Sequence, residues 1–394
     1  MNKSILHTGP QLFISENLNT DTMSVLLQKP QFEGVSQKEL VTQLEAKKKS
    51  RDKLPTWFHS SNIYYPNRLN IEQTSSEATA SYKAKIVSGK SLADLTGGFG
   101  VDCYFFSERI GSVVHCEINP ELSEIAAHNF NILGRKNIDC IVGEGMDFLK
   151  GTTQKFDWVY IDPSRRNDKK GKVFLLADCL PNLPENIDLV FQKTQNVLLK
   201  TSPLLDIKQG ISELDHVKEV HVVALNNEVK ELLFVLEKDF VGNIAVQTVN
   251  ITNGKDDTFC FMLEEEQNST VTFGGPSTYL YEPNVAILKS GGFKSIGAAY
   301  QLHKLHPHSH LYSSPKLIDF PGRSFIIEKV LPYSKSAMKA LGITKANITT
   351  RNFPLSVADL RKKHKIKDGG ETYLFFTKDS NDSLLVLQCT KTKD

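Results

Sequence analysis

Apolar and polar positions change their period several times along this 394-residue chain, and each change marks a different kind of element. In V-S-Q-K-E-L-V-T-Q-L-E-A-K-K-K (35–49), Val35, Leu40, Val41 and Leu44 fall on one helical face. With the polar residues around it, up to about residue 55, this reads as a small helical N-terminal cap. From Ser91 short, nearly continuous apolar runs alternate with amphipathic ones. S-L-A-D-L, S-V-V-H-C-E-I-N, D-C-I-V-G-E, F-D-W-V-Y-I-D-P and N-V-L-L-K-T-S-P predict five strands. V-D-C-Y-F-F-S-E-R (101–109) and P-E-L-S-E-I-A-A-H-N-F-N-I-L-G (120–134) predict helices, the second opening on proline and closing on glycine. Strands that alternate with helices make a parallel, doubly wound α/β sheet. V-K-E-V-H-V-V-A-L (217–225) and V-K-E-L-L-F-V-L-E (229–237) flank a short N-N-E turn, so one terminal strand runs antiparallel.

Beyond about residue 240 the alternation stops. I-A-V-Q-T-V-N-I and T-F-C-F-M-L are strand-like, and either extend the sheet or form a small subdomain. F-I-I-E-K-V-L-P, A-N-I-T-T-R-N-F-P, Y-L-F-F-T and S-L-L-V-L-Q-C-T predict four more strands. S-K-S-A-M-K-A-L-G and L-S-V-A-D-L-R-K-K-H predict two helices, giving a compact α+β module.

The formal net charge of +2 hides an asymmetry. Residues 1–266 carry 29 Lys+Arg and 36 Asp+Glu, a balance of −7, whereas residues 267–394 carry 18 and 9, a balance of +9. A basic C-terminal third suits a polyanionic partner, most simply nucleic acid; a solvated basic face is the bland alternative. No apolar run reaches the roughly 18–20 residues of a membrane span, and the N-terminus lacks a signal-peptide core, so a cytoplasmic protein is expected. The six cysteines form no C-x-x-C pair and read as reduced core residues. No metal is expected at His303, His306, His308 and His310, because Pro307 breaks any helix there and neither Cys nor acid joins the run.

The candidate chemistry gathers at the strand ends. D-L-T-G-G-F-G-V-D holds Asp94, Thr96, Gly97, Gly98, Gly100 and Asp102 in a glycine turn after the first strand. Glycines there let the backbone approach a nucleotide-like ligand. The G-x-G-x-x-G fingerprint is not met, since its third glycine would be Cys103, and no Walker loop is present. Glu117 ends the second strand, where an acid can accept hydrogen bonds from ribose hydroxyls. Glu144 follows the third strand and Asp162-Pro163 the fourth. Each acid alone could be a cap or turn residue; four at four successive strand ends are hard to assign that way.

D-L-T-G-G-F-G, C-E-I-N, V-G-E-G-M-D and Y-I-D-P-S-R-R resemble the successive motifs of class I S-adenosylmethionine-dependent methyltransferases. E-Q-T-S-S-E-A-T-A-S-Y-K (72–83), K-T-S-P-L-L-D (200–206), Y-E-P-N-V-A-I-L-K-S-G-G (281–292) and K-I-K-D-G-G-E-T-Y-L-F-F (365–376) further resemble a bacterial family of such enzymes with a C-terminal THUMP-like domain. The resemblance implies a Rossmann-like methyltransferase sheet, a ferredoxin-like segment and a THUMP-like domain. The implied divisions are 1–72, 73–275, 276–321 and 322–394. THUMP domains proper bind RNA, so the resemblance also implies RNA, either tRNA or rRNA, as the partner. It places Asp94 and the Thr96–Gly100 turn against the methionine part of the cofactor, and counts Asp102 and Ile118 among the cofactor-binding residues. It puts Glu117 on the ribose, Glu144 near the adenine amino group, and Asp162 where the methyl meets the substrate. Ser75, Ser76, Glu77, Tyr82 and Lys83 would form a lid-like helix, or simply an N-cap with its acid.

Amino-group methyltransferases often carry [DNS]-P-P-[FYW], and this chain has Asp162-Pro163-Ser164-Arg165 instead. Asp162, Pro163 and Arg165 are the catalytic candidates, with a base nitrogen as the expected acceptor. No cysteine nucleophile is expected. Arg165, Arg166, Lys169, Lys170 and Lys172 form a basic loop suited to phosphate, and Arg361, Lys362, Lys363, Lys365 and Lys367 a second basic cluster. The alternatives are an RNA-binding protein that keeps the fold without catalysis, a small-molecule methyltransferase, and a nicotinamide-dependent oxidoreductase.

Overall fold

The structure is a computed structural model that describes residues 1–165, 175–252 and 255–392. The chain divides into two compact units, 1–218 with 230–241, and 219–229 with 242–394.

The first unit is built on parallel strands β1 (Ser91–Asp94), β2 (Ser112–Glu117), β3 (Ile138–Val142), β4 (Phe156–Ile161) and β5 (Thr194–Thr201). β1 sits between β2 and β4, β3 lies outside β2, and β5 outside β4. β1, β2 and β4 are buried almost throughout because both faces are covered, which is why they read as unbroken apolar runs. Strand β6 (Val217–Leu225), which from Glu219 belongs to the second unit, leads through the left-handed Asn226 and Asn227 into β7 (Glu228–Glu237), whose part in the first unit pairs antiparallel with β5 from Asn196↔Glu237 to Thr201↔Leu232. The expected antiparallel terminal strand is therefore present.

Helix α1 (Gln37–Lys53) starts on a capping box between Ser36 and Glu39 and buries Leu40 and Leu44. Its basic end is used locally: Lys53 donates to the carbonyls of Ile71 and Glu72, and Lys47 and Arg51 lie over the Phe58 ring. Helix α2 (Glu77–Ile86) is N-capped by Ser76. Helix α3 (Val101–Phe106) follows the glycine turn, and α4 (Pro120–Ile132) opens on the Asn119 cap with Pro120 in its first turn.

In the second unit, β8 (Ala245–Ile251) runs parallel to β6 and pairs antiparallel with β9 (Asp257–Met262). These segments thus add to a sheet. A seven-stranded sheet follows, made of β10 (Tyr279–Pro283), β11 (His303–Lys304), β12 (Tyr312–Ser314), β13 (Gly322–Pro332), β14 (Asn347–Thr350), β15 (Thr372–Lys378) and β16 (Leu384–Lys391), in the order β11-β12-β10-β13-β16-β15-β14. Its last four strands are those expected for the α+β module. A buried Glu282 accepts from both Arg323 and Arg351, tying β10 to β13 and to the chain after β14. His306 contacts Asn352 and Asp382, and His310 stacks on Phe293; among the described residues no cluster of His, Cys, Asp or Glu has metal-site geometry. No described helix is long and apolar enough to cross a membrane.

Candidate active site

A cavity of about 770 Å³ opens at the carboxyl ends of the first unit's parallel strands, the usual ligand position in open α/β sheets. Asp94, Thr96, Gly97, Gly98, Asp102, Glu117, Ile118, Glu144 and Asp162 all line it. The four acids reach one cavity because their strands lie side by side in register.

The glycine turn shapes one wall. A side chain at Gly97 would come within 2.3 Å of the His115 ring, and one at Gly145 within 2.3 Å of the Leu95 carbonyl oxygen. Both positions must therefore be glycine for the cavity wall to pack against its protein neighbours. His115 Nε2 contacts the Gly98 carbonyl at 3.1 Å, and burial pushes the imidazole pKa down. Gly100 does not reach the cavity. It caps α3 in the left-handed region at φ 86°, where a side chain would strike Phe130.

Glu117 is aimed by backbone. Gly98 N–H donates to its Oε2 at 2.9 Å and Asn119 N–H to its Oε1 at 2.7 Å. Asp94 is 1% exposed; it accepts from Thr96 N–H at 2.9 Å and from the Cys103 thiol at 3.1 Å. Burial raises its carboxyl from the ordinary 3.8 to about 7. Between those two values the folded chain keeps a proton that the unfolded chain has lost. Stability should therefore fall as pH rises from about 4 to about 7 and level off above. In urea unfolding at a series of pH values, Asp94→Asn should flatten that slope; an unchanged slope would assign it to other groups. Burial, then Asp147, raises the carboxyl of Glu144, which precedes helix α5 (Gly145–Gly151).

Behind the cavity lies a charge cluster. Lys83, fully buried, donates to both carboxylate oxygens of Glu231 at 2.7 and 2.8 Å and to Ser75 Oγ at 3.1 Å, and sits 3.2 Å from Asp102. Asp102 Oδ2 also accepts from Ser75 at 2.9 Å and from Tyr160 at 2.8 Å. Burial alone would raise the Asp102 carboxyl, but Lys83 and Lys200 hold it below its ordinary value. Lys200 donates to Asp162, whose own N–H donates to Thr96 Oγ1 at 2.7 Å. Burial would lower the Lys200 ammonium, and the charges of Asp162, Glu231 and Asp102 reverse this and raise it.

Several expected roles change. Lys83 is no lid residue, because it is the buried cation of α2. Ser76 is the helix cap and Glu77 accepts from Thr56, while Ser75 does line the cavity. Asp102 lines the cavity with its carboxylate turned to the cluster. Ser164 lines the cavity, and Ser164–Arg165 pairs with Cys179–Leu180 in a short ladder. Arg166, Lys169, Lys170 and Lys172 lie outside the described residues. In helix α6 (Val357–His364), Arg361 is tied to Asp368 and to the Ala346 carbonyl, and Lys363 lies over the Tyr333 ring. Lys200 and Glu231 match no ligand spacing in the sequence, whereas Gly145, in V-G-E-G-M-D, carries a signal of the same kind as the glycine turn. Cys116 lines the cavity, but burial pushes its thiol up to about 12.

Comparison with known proteins decides the family. A crystal structure titled "putative methyltransferase from Porphyromonas gingivalis W83" is 33% identical over 99% of both chains, with a TM-score of 0.90. The chain belongs to the bacterial family of class I methyltransferases with a C-terminal THUMP-like domain. Family models described as a ferredoxin-like domain and as THUMP domain-like match residues 279–321 and 322–391 of this methyltransferase. An rRNA methylase of Streptococcus thermophilus (16% identity, 41% of this chain and 94% of that one, TM-score 0.30) matches more faintly. So does a Streptococcus mutans protein in complex with SAH (15%, 41% and 96%, 0.31). Neither likeness is strong enough to carry an argument. No curated protein matches.

Proposed function

We propose that this methyltransferase uses S-adenosylmethionine and acts on RNA, tRNA or rRNA, in the cytoplasm. The observation that carries the reading is the convergence of Asp94, Glu117, Glu144 and Asp162 on one cavity lined also by Gly97, Gly98 and Gly145. The donor set fits the cofactor: a backbone-aimed carboxylate for ribose, an acid past β3 for the adenine edge, and a tight glycine wall. When bound, the sulfonium supplies an already activated methyl group, so the protein has to align the acceptor and exclude water. The RNA part rests on the +9 balance of residues 267–394 and on the THUMP-like match. A small-molecule substrate would leave that charge without a use.

Calorimetry with S-adenosylmethionine, and methyl incorporation into RNA from cells lacking the protein, test the two parts. No binding by the folded chain would end the cofactor reading. RNA affinity should fall steeply with salt as counterions are released. Lys362, Lys363, Lys365 and Lys367 can be neutralised together, with Asn at left-handed Lys365, while Arg361 keeps its structural contacts. The slope of log affinity against log salt should flatten by about 2–4. An unchanged slope would clear this cluster of phosphate contact.

A further inference from the structure

Recognition of the cofactor leaves Lys83, Glu231, Lys200 and their junction with Asp162 without a use. Burying two ammonium groups beside the carboxylates of Glu231 and Asp102 is costly, and hydrophobic residues of similar volume would stabilise a core at least as well. The cluster is also graded towards the cavity. Lys83 and Glu231 are 0% and 3% exposed, Lys200 13% and Asp162 36%. Asp162 thus meets the cavity with the Lys200 ammonium on its Oδ2, and the charges of Glu231 and Asp102 keep that ammonium protonated.

This arrangement discriminates between acceptors. A base amino group and a hydroxyl would both turn to the Asp162 oxygen that Lys200 leaves open, so the ammonium beside it decides between them. A nitrogen becomes positively charged as it takes a methyl group, and a neighbouring ammonium opposes that. A hydroxyl has the opposite need. It becomes a good nucleophile only as it loses its proton, and an adjacent ammonium stabilises the developing oxyanion.

We propose that Asp162 and Lys200 activate a ribose 2′-hydroxyl, with Lys83 and Glu231 as positioning residues, so that the methyl group goes to oxygen and not to a base nitrogen. The hydroxyl oxygen forms its bond to the methyl carbon as the carbon–sulfur bond breaks. That bond's electron pair stays on sulfur, and the hydroxyl proton passes to the Asp162 carboxylate. The proposal rests on the reading of this chain as an RNA methyltransferase, and its test separates the two.

The full chain is incubated with S-adenosylmethionine labelled in the methyl group and with RNA from cells lacking the protein, and the RNA is then digested in alkali. Alkaline cleavage requires a free 2′-hydroxyl, so oxygen methylation leaves the label in resistant dinucleotides. That is the expected result. Label in mononucleotides would overturn the hydroxyl proposal and leave the RNA function standing, while absence of label from RNA would overturn both. Lys200→Gln should lower transfer about a hundred-fold or more, with S-adenosylhomocysteine affinity within about threefold of wild type by calorimetry. Undiminished transfer by this variant would also overturn the proposal. Lys200→Arg should restore a measurable share of the rate. In the free protein labelled with 15N-lysine, a slowly exchanging Lys200 ammonium signal should be present and should vanish in Asp162→Asn. Its absence from the wild type would count against the pair. The alkaline digestion needs no variant, so the proposal stands or falls even if a replacement fails to fold.

Discussion

Glu231→Ala should destabilise the first unit by about 3–5 kcal/mol, because it strands the fully buried Lys83 ammonium without its bidentate partner. The chain's two tryptophans, Trp57 and Trp158, are both buried in this unit, so their fluorescence during urea unfolding reports on it directly. Replacing the pair together, Lys83→Met with Glu231→Leu, should recover part of the loss, since it removes the stranded ammonium, while Asp102 loses Lys83 but keeps the Ser75 and Tyr160 hydroxyls as donors. A loss below about 1 kcal/mol in the single variant would mean that Lys83 finds water or another acid at little cost. The double variant should still be impaired in methyl transfer if the cluster positions Lys200, which separates its structural role from its functional one.

Glu117→Ala should weaken S-adenosylmethionine binding ten- to a hundred-fold, or roughly 1.5–3 kcal/mol, the scale of hydrogen bonds to a charged group. Each carboxylate oxygen of Glu117 takes one backbone N–H, and this aims its remaining lone pairs into the cavity. Replacement with Ala also leaves the Gly98 N–H without its acceptor, so part of the loss comes from a looser glycine turn. Glu117→Gln keeps one acceptor oxygen and should fall between the two. Calorimetry on folded protein measures all three; affinity within twofold of wild type in the Ala variant would take Glu117 out of the cofactor site.

The elements of the methyltransferase sheet were legible because local pattern and tertiary position agree there. Strands covered on both faces must be apolar throughout, so β1, β2 and β4 announce themselves. Pro120 and Gly134 punctuate α4 in the expected way. The four acids were legible for a related reason: a residue just past the end of a parallel strand lies on the ligand-binding edge whatever the details of packing. Gly100 shows where this reasoning fails. Sequence alone cannot distinguish a glycine that makes room for a ligand from one that makes room for a core phenylalanine, and here Phe130 occupies the space. Arg361 fails in the same way, since a cation in a basic run looks free until its partners, Asp368 and the Ala346 carbonyl, are placed beside it.

By itself the sequence determined the kinds of element, their order, the glycine turn and the acids at the strand ends, because each depends on the period of a short stretch and on the chemistry of single residues. Tertiary structure alone decided which charges meet. Lys83 and Glu231 are 148 residues apart and Lys200 and Asp162 are 38 apart, and each pair forms only when strand order brings β5 between β4 and β7 and seats α2 against them. Long-range charge pairing leaves no period in the sequence, since its geometry is set by the sheet and its energy by burial, and neither exists before the chain has folded.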